Sequence, residues 1–245
     1  FAAKNEGREI PDTWLVDEDG IPNDDDNCRD ISNVDQVDTD GDHIGDLCDA
    51  CPSYASASGS CPESVYDVRD GTLPLGTPVI LEDLVVTASN ENGVFLQLDP
   101  SDPRFTVADY SGIWVYFGGL EPKPERGDRV TISGSVNDFY YQIQLDGVTE
   151  VTVLSTGNPE PAPVVVDPVD IVLGGSRAEA LEGVLVTVED VTVTADSVAP
   201  GAGDTAPTME FAVDSDLPVN DYFYLVDPFP TVGESFDAIT GVLRL

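Results

Sequence analysis

"VILEDLVVTAS", residues 79–89, returns later in the chain as "VTVEDVTVTADS", residues 186–197, with Glu82 falling on Glu189. Further on, "GDRVTISGSV" (127–136) matches "GESFDAITGVL" (233–243), and Gly134 falls on Gly241. Both markers share one offset, 107, which predicts a duplicated domain. The repeated stretch is rich in Val, Leu and Thr, partly alternating, with acidic residues near its middle. That texture predicts a strand rather than a helix.

The same texture fills the rest of the first copy. "GVFLQLD" (93–99), "GIWVYFG" (112–118), "GDRVTISGSV" and "YYQIQLDGVTEVTVL" (140–154) are β-branched and aromatic runs set between Gly, Pro, Asn and Asp. They predict about five strands over residues 65–155, with no convincing helix. "STGNPEPAPVVVDP" (155–168) is rich in proline, and residues 156–168 are expected to form a semi-rigid linker. A second β domain is expected over 169–245, short of its last strand, since only "VLRL" follows Gly241: either the natural chain continues past Leu245, the simpler expectation, or the barrel is completed by a strand from elsewhere. A sheet edge left open in this way is a template for another chain.

Upstream of residue 65 the chain changes character. Residues 1–14 form an expected extended lead-in, and residues 15–64 are acidic, punctuated by glycine and without strand or helix periodicity. All four cysteines, Cys28, Cys48, Cys51 and Cys61, lie in this block, a pattern that suits an oxidising compartment. Four cysteines allow three pairings, which sequence alone does not decide. Short neighbouring loops favour Cys28 with Cys48 and Cys51 with Cys61.

Charge narrows the function. Among 245 residues, Lys+Arg number 10 and Asp+Glu 47, a net charge of −37 that repels a phosphate backbone and disfavours nucleic-acid partners. No run of about 18 apolar residues is present to span a bilayer as a helix. With one histidine, His43, a Ser-His-Asp or Cys-His arrangement is unavailable, and no carboxylate pair stands out from so acidic a background. No catalytic residue is assigned and no enzyme activity is expected.

The acidic block carries the chemistry. In "DTDGDHIGDLCDAC" (38–51), Asp38, Asp40, Asp42 and Asp49 take the first, third, fifth and twelfth places of a tight loop. Ile44 would offer its backbone carbonyl at the seventh, and Asp46 a carboxylate or a bridged water at the ninth. Alternating oxygen donors around a turn meet the six to eight ligands of a calcium ion. Zinc or redox chemistry at Cys48 and Cys51 lacks a second cysteine pair or a βαβ context.

"DEDGIPNDDDNC" (17–28) and "NVDQVDTDGDHIGDLCD" (33–49) together resemble the thrombospondin type 3 repeat, down to Asn27, Cys28, Asn33, Gln36 and Cys48. The resemblance implies paired calcium loops with almost no hydrophobic core, and cysteines joined between successive repeats, which supports Cys28 with Cys48. It implies a first loop built from Asp17, Asp19, Asn23 and Asp26 that, with Leu15 at its opening place and Asn23 at its ninth, either binds more weakly than the second or borrows ligands from its neighbour, with Asp24, Asp25 and Asp35 as candidates. His43 departs from the family's usual turn glycine.

The β domains look like OB-fold domains of secreted bacterial surface proteins and nucleases. The expected fold class is therefore mainly β: a calcium-loop segment with little regular structure, plus two small antiparallel OB-like barrels, with immunoglobulin-like sandwiches as the alternative. Tyr110, Trp114, Tyr116 and Phe117, with Phe139, Tyr140 and Tyr141, could form a stacking platform, although alternation in "IWVYF" sends half of those rings inward. The expected protein is an extracellular or cell-surface calcium-binding structural or adhesion protein that associates with itself or with another surface protein, a fibre completed by strand exchange being the sharper version of that reading. The alternative is a saccharide- or single-strand-binding accessory region of a larger secreted enzyme.

Overall fold

In the computed structural model, residues 4–5, 8–9, 17–49, 52, 64–199, 209–220 and 222–245 are described. The chain divides into two compact units, Phe1–Pro62 and Glu63–Leu245. The fold is mainly β.

In the first unit, β1 (Lys4–Asn5) and β2 (Arg8–Glu9) form a two-residue antiparallel ladder. Residues 17–49 are turns and bends without strand or helix. Leu15, Cys51 and Cys61 lie outside the described residues, so the pairing of Cys51 with Cys61 does as well.

The second unit opens with α1 (Val65–Arg69), whose five residues give no periodic signal in the sequence. Ser64 caps it, accepting from the Tyr66 N–H, and the Asp67 side chain reciprocates to the Ser64 N–H. The first repeat then runs β3 (Pro78–Ser89), β4 (Gly93–Leu98), β5 (Gly112–Tyr116), β6 (Arg129–Phe139) and β7 (Gln142–Ser155), the five strands expected. They close a barrel in the order β3-β4-β5-β7-β6, with β5 and β7 parallel and the other pairs antiparallel. Alternation in β6 points Val130, Ile132 and Val136 inward, where they meet Leu81, Leu96, Ile113 and Leu145 in one core.

Residues 155–166 are held against both repeats. Asn158 donates its backbone N–H to the Gly127 carbonyl, Arg126 pairs with Glu160, and β8 (Val164–Val165) joins the second sheet beside β9. Two further four-residue helices, α2 (Pro168–Ile171) and α3 (Ala178–Leu181), precede that sheet. Besides β8 the sheet contains β9 (Leu185–Ala195), β10 (Phe211–Val213), β11 (Leu217–Val219) and β12 (Ser235–Val242), in the order β11-β10-β9-β12 with β8 off this path.

The duplication holds at the level of register. In the first repeat Val79 pairs with Gly134 and Leu81 with Ile132; in the second, Val186 pairs with Gly241 and Val188 with Ile239. Each pair is displaced by the offset of 107 that links Gly134 to Gly241. Asp83 (φ 56°) and Asp190 (φ 52°) are also counterparts, both left-handed within their strands, and the β3–β6 register shifts beside Asp83. The first sheet closes and the second, among the described residues, stays open.

The two repeats share a tight seam. A Cβ on either Gly112 or Gly183 would collide with the backbone of the other. The Leu185 N–H donates to the buried Gln97 Oε1 (3.0 Å), and the Tyr110 N–H to the Ala180 carbonyl (2.6 Å).

Candidate metal centre

The 17–49 segment organises itself through its carboxylates. Asp17 Oδ1 accepts the Asp19 N–H (3.2 Å) and Asp19 Oδ1 the Ile21 N–H (2.7 Å). In the second loop Asp40 Oδ1 accepts the Asp42 N–H (3.2 Å) and Asp42 Oδ1 the Ile44 N–H (2.9 Å). These are the same contacts repeated 23 residues on, as from Asp17 to Asp40. Asp17 and Asp40 thus turn the chain with one oxygen and leave the other without a donor, whereas the second oxygen of Asp19 accepts the Asn33 N–H (3.1 Å).

Two triads result. Asp17, Asp19 and Asp26 bring one carboxylate oxygen each to within 4.8 Å of one another, and so do Asp38, Asp40 and Asp42. Asp17 Oδ2, Asp26 Oδ2 and Asp40 Oδ2 are shut away from solvent without a hydrogen-bond donor. A buried anionic oxygen with no donor is costly, and a cation relieves it. The donor set is all hard oxygen, which fits calcium rather than a softer metal.

Electrostatics agrees. The Asp40 carboxyl is pushed above the ordinary carboxylate range, by desolvation first, then by the charges of Asp42, Asp49 and Asp38 against an opposing hydrogen bond from the Asp42 backbone. The Asp49 charge thus lies near enough to the second triad to be felt at Asp40. Asp46 lies outside the triad grouping, and its two oxygens accept from the Thr39 N–H (2.8 Å) and hydroxyl (2.6 Å); Asp38, inside the triad, likewise accepts from the Gly41 N–H (2.8 Å) and the His43 N–H (3.0 Å). Asn23 and Ile44 are likewise absent from the triads, which are groupings of acidic side chains alone.

An amide network supports the first triad. Asn33 donates to Asn27 Oδ1 (2.6 Å), Gln36 donates to Asn33 Oδ1 (2.7 Å) and to Asp26 Oδ1 (2.9 Å), and the Asn27 N–H donates to Gln36 Oε1 (2.9 Å). Cys28 and Cys48 form a disulfide with Cα atoms 5.6 Å apart, tying the loops together. Gly45 went unnoticed in the sequence: any side chain there would strike Asn27 and Cys28. His43 takes φ 77°, the counterpart of Gly20 at 95°.

The aromatic residues divide. Trp114 and Phe117 are buried, Tyr116 is partly exposed, and Phe139, Tyr140 and Tyr141 stand out at a hairpin tip. Tyr110 is half-buried in a left-handed turn. Trp114 packs on Phe95 (centroids 4.7 Å apart), and Tyr222 and Phe223 of the second repeat lie over both, with Arg244 stacked 4.8 Å from the Tyr222 ring.

The family model of the thrombospondin type 3 repeat matches residues 16–36 and 37–58. The similarity is confined to that segment. A search of curated proteins finds no match. Among solved structures, the hypothetical protein ygiW from E. coli is similar at 19% identity over 39% of this chain and 91% of that one, with a TM-score of 0.27.

Proposed function

We infer that this chain is a calcium-stapled structural or adhesion protein of the cell surface or extracellular space, with no catalytic activity of its own. The observation that carries the reading is the set of donorless buried oxygens, Asp17 Oδ2, Asp26 Oδ2 and Asp40 Oδ2, within two aspartate triads. Calcium at each triad would neutralise carboxylates that otherwise repel, so binding free energy becomes folding free energy for a segment with almost no apolar core. The repeat match supports calcium as the ion, and the Cys28–Cys48 disulfide supports an oxidising location.

The acidic segment then acts as a stiffened spacer ahead of the β unit. The finer reading is self-association into an extracellular fibre through an added strand. The β unit is read as a duplicated OB-like module, on the strength of its closed five-stranded barrel and the shared register of its repeats. Its aromatic face is engaged internally, with Trp114 beneath Tyr222 and Phe223, which argues for assembly over ligand capture.

Calorimetric titration of the whole chain with calcium, paired with proteolysis before and after chelation, tests the inference. Saturable calcium binding, with cleavage within residues 17–49 only after chelation, is the expected result. Absence of binding heat at millimolar calcium, with unchanged cleavage, overturns it.

A further inference from the structure

The β6–β7 hairpin turns on two residues that its backbone does not favour. Phe139 pairs with Gln142, so Tyr140 and Tyr141 alone make the turn, at φ 52° and 73°. Two left-handed positions in a two-residue loop suit Asn and Gly, and a bulky ring there is strained. Burial does not offset the strain: Tyr140 is 81% and Tyr141 95% exposed. The one ring contact that either makes among the described residues is Tyr140 against Phe139, with centroids 4.8 Å apart. Asp138 stands exposed beside them, fixing the turn through its Oδ1, which accepts the Tyr141 N–H (2.8 Å). Strain held at an exposed aromatic tip points to a partner for the rings.

Charge selects the partner's chemistry. Between Arg129 and Arg177 the sequence carries Asp138, Asp146, Glu150, Glu160, Asp167 and Asp170, and no Lys, Arg or His. Arg69 reaches the hairpin at the Ile143 carbonyl but is buried against Glu182. An aromatic tip flanked by a carboxylate, with no cation of its own, suits a guanidinium, which stacks on a ring and donates to an acid at its rim. Arg244 over the Tyr222 ring is the same pairing inside this chain. The chain also carries an unused cation. Arg29 is exposed with neither carboxylate nor ring beside it, whereas every other cation whose side chain is described lies over Tyr222 or holds a carboxylate. Ile31, Val34 and Val37, in the same turn segment, are exposed as well. Arg29 follows Cys28, whose N–H donates to Asp26 Oδ1 (2.9 Å) in the first triad.

We propose that the tip formed by Asp138, Phe139, Tyr140 and Tyr141 in one copy docks on Arg29 and its apolar neighbours in the calcium segment of a second copy. The proposal deepens the self-association reading and rests on it, adding a side-chain joint to any shared strand. In a chain of net charge −37, two copies approach only where charge is complementary, and the tip and Arg29 supply that complement. Tip and patch are different surfaces on different compact units, so the contact is heterologous and extends head to tail. Arg29 is set by the first triad, so removal of calcium loosens the patch and the joint with it.

The test follows the whole chain in millimolar calcium by sedimentation and negative-stain imaging. Wild type is expected to polymerise, and to disperse on chelation. Tyr140→Asn with Tyr141→Gly relieves the turn, so it is expected to raise the melting temperature while raising the critical concentration about tenfold or more. Arg29→Glu alone and Asp138→Arg alone are expected to block assembly, and the two combined in one chain to restore it. The Asn-Gly variant and Arg29→Glu, each monomeric alone, are expected to form dimers and nothing longer when mixed, because each keeps the surface that the other lacks.

An Asn-Gly variant that polymerises at the wild-type concentration overturns the tip, and one that melts lower than wild type overturns the strain argument. Assembly indifferent to Arg29→Glu, or a charge exchange that fails to restore it, overturns Arg29 as the docking point. Calcium heats from the same samples separate the readings: binding without assembly sinks this proposal and leaves the calcium staple standing, whereas polymers that survive every variant leave self-association standing without this joint.

Discussion

Arg69 on α1 and Glu182 just after α3 meet at 3.2 Å with both side chains almost wholly excluded from solvent. Arg69 also donates to the Ile143, Glu179 and Glu182 carbonyls, and Gln142 donates to Glu182 Oε1. The pair joins the first repeat to the second. Removing one member strands a buried charge, so Arg69→Ala or Glu182→Ala is expected to cost about 3–5 kcal/mol in urea unfolding. Arg69→Met with Glu182→Leu is expected to cost far less than the sum of the single changes.

Acid titration separates two carboxyls by sign. Burial raises Glu182 above the ordinary glutamate range, more than Arg69 lowers it. The folded state therefore holds this proton more tightly, and the resulting stability fades as pH climbs from about 4.3 through the raised value. Burial also raises Asp102, but hydrogen bonds from the Arg104 side chain and backbone outweigh it and hold the carboxyl low. That contribution is lost as pH falls below about 4. Melting curves should show Glu182→Gln lacking the first slope and Asp102→Asn lacking part of the second.

Asp40 and Asp46 should differ as ligands. Asp40→Asn removes a carboxylate that feels the charges of Asp38, Asp42 and Asp49, and is expected to weaken calcium binding at least tenfold, about 1.4 kcal/mol. Asp46→Asn touches a group already engaged by Thr39 and should leave affinity within about threefold, roughly 0.6 kcal/mol by calorimetry. Equal losses would mean that the loop rearranges around the ion.

Cys28→Ser with Cys48→Ser opens a loop closed over a sequence separation of 20. The expected cost is about 3 kcal/mol, confined to the first unit. Its signature is a higher calcium concentration for half-protection from protease, with the β unit's melting temperature unchanged.

His43→Gly should stabilise the calcium-loaded segment by about 0.5–1 kcal/mol, since φ 77° strains a side chain that glycine lacks. Calcium affinity should rise slightly. A fall would assign the imidazole a role beyond its backbone position.

The duplicated strands were legible because their Glu-Asp pair interrupts an apolar run at the same place twice, and one integer offset carried through to the pairing of Val79 with Gly134 and of Val186 with Gly241. The aspartate triads were legible from alternate spacing. Spacing does not reveal competition, so the capture of Asp46 by Thr39 was hidden. Alternation says which face of a strand turns inward, not what lies over the other face. Hence the covering of Trp114 by Tyr222, 108 positions away, left no local signal. The helix at Val65–Arg69 is too short for periodicity to mark, and only its Ser64 cap announces it.

Gly112 against Gly183 also bears on how these repeats can change through time. With no room for a methyl group on either side, the copies are not interchangeable beads. A substitution that reshapes one contact surface must be answered on the other, and neither copy is transplantable without exposing a face made for its twin. Duplication here produced a single evolving body with two similar halves.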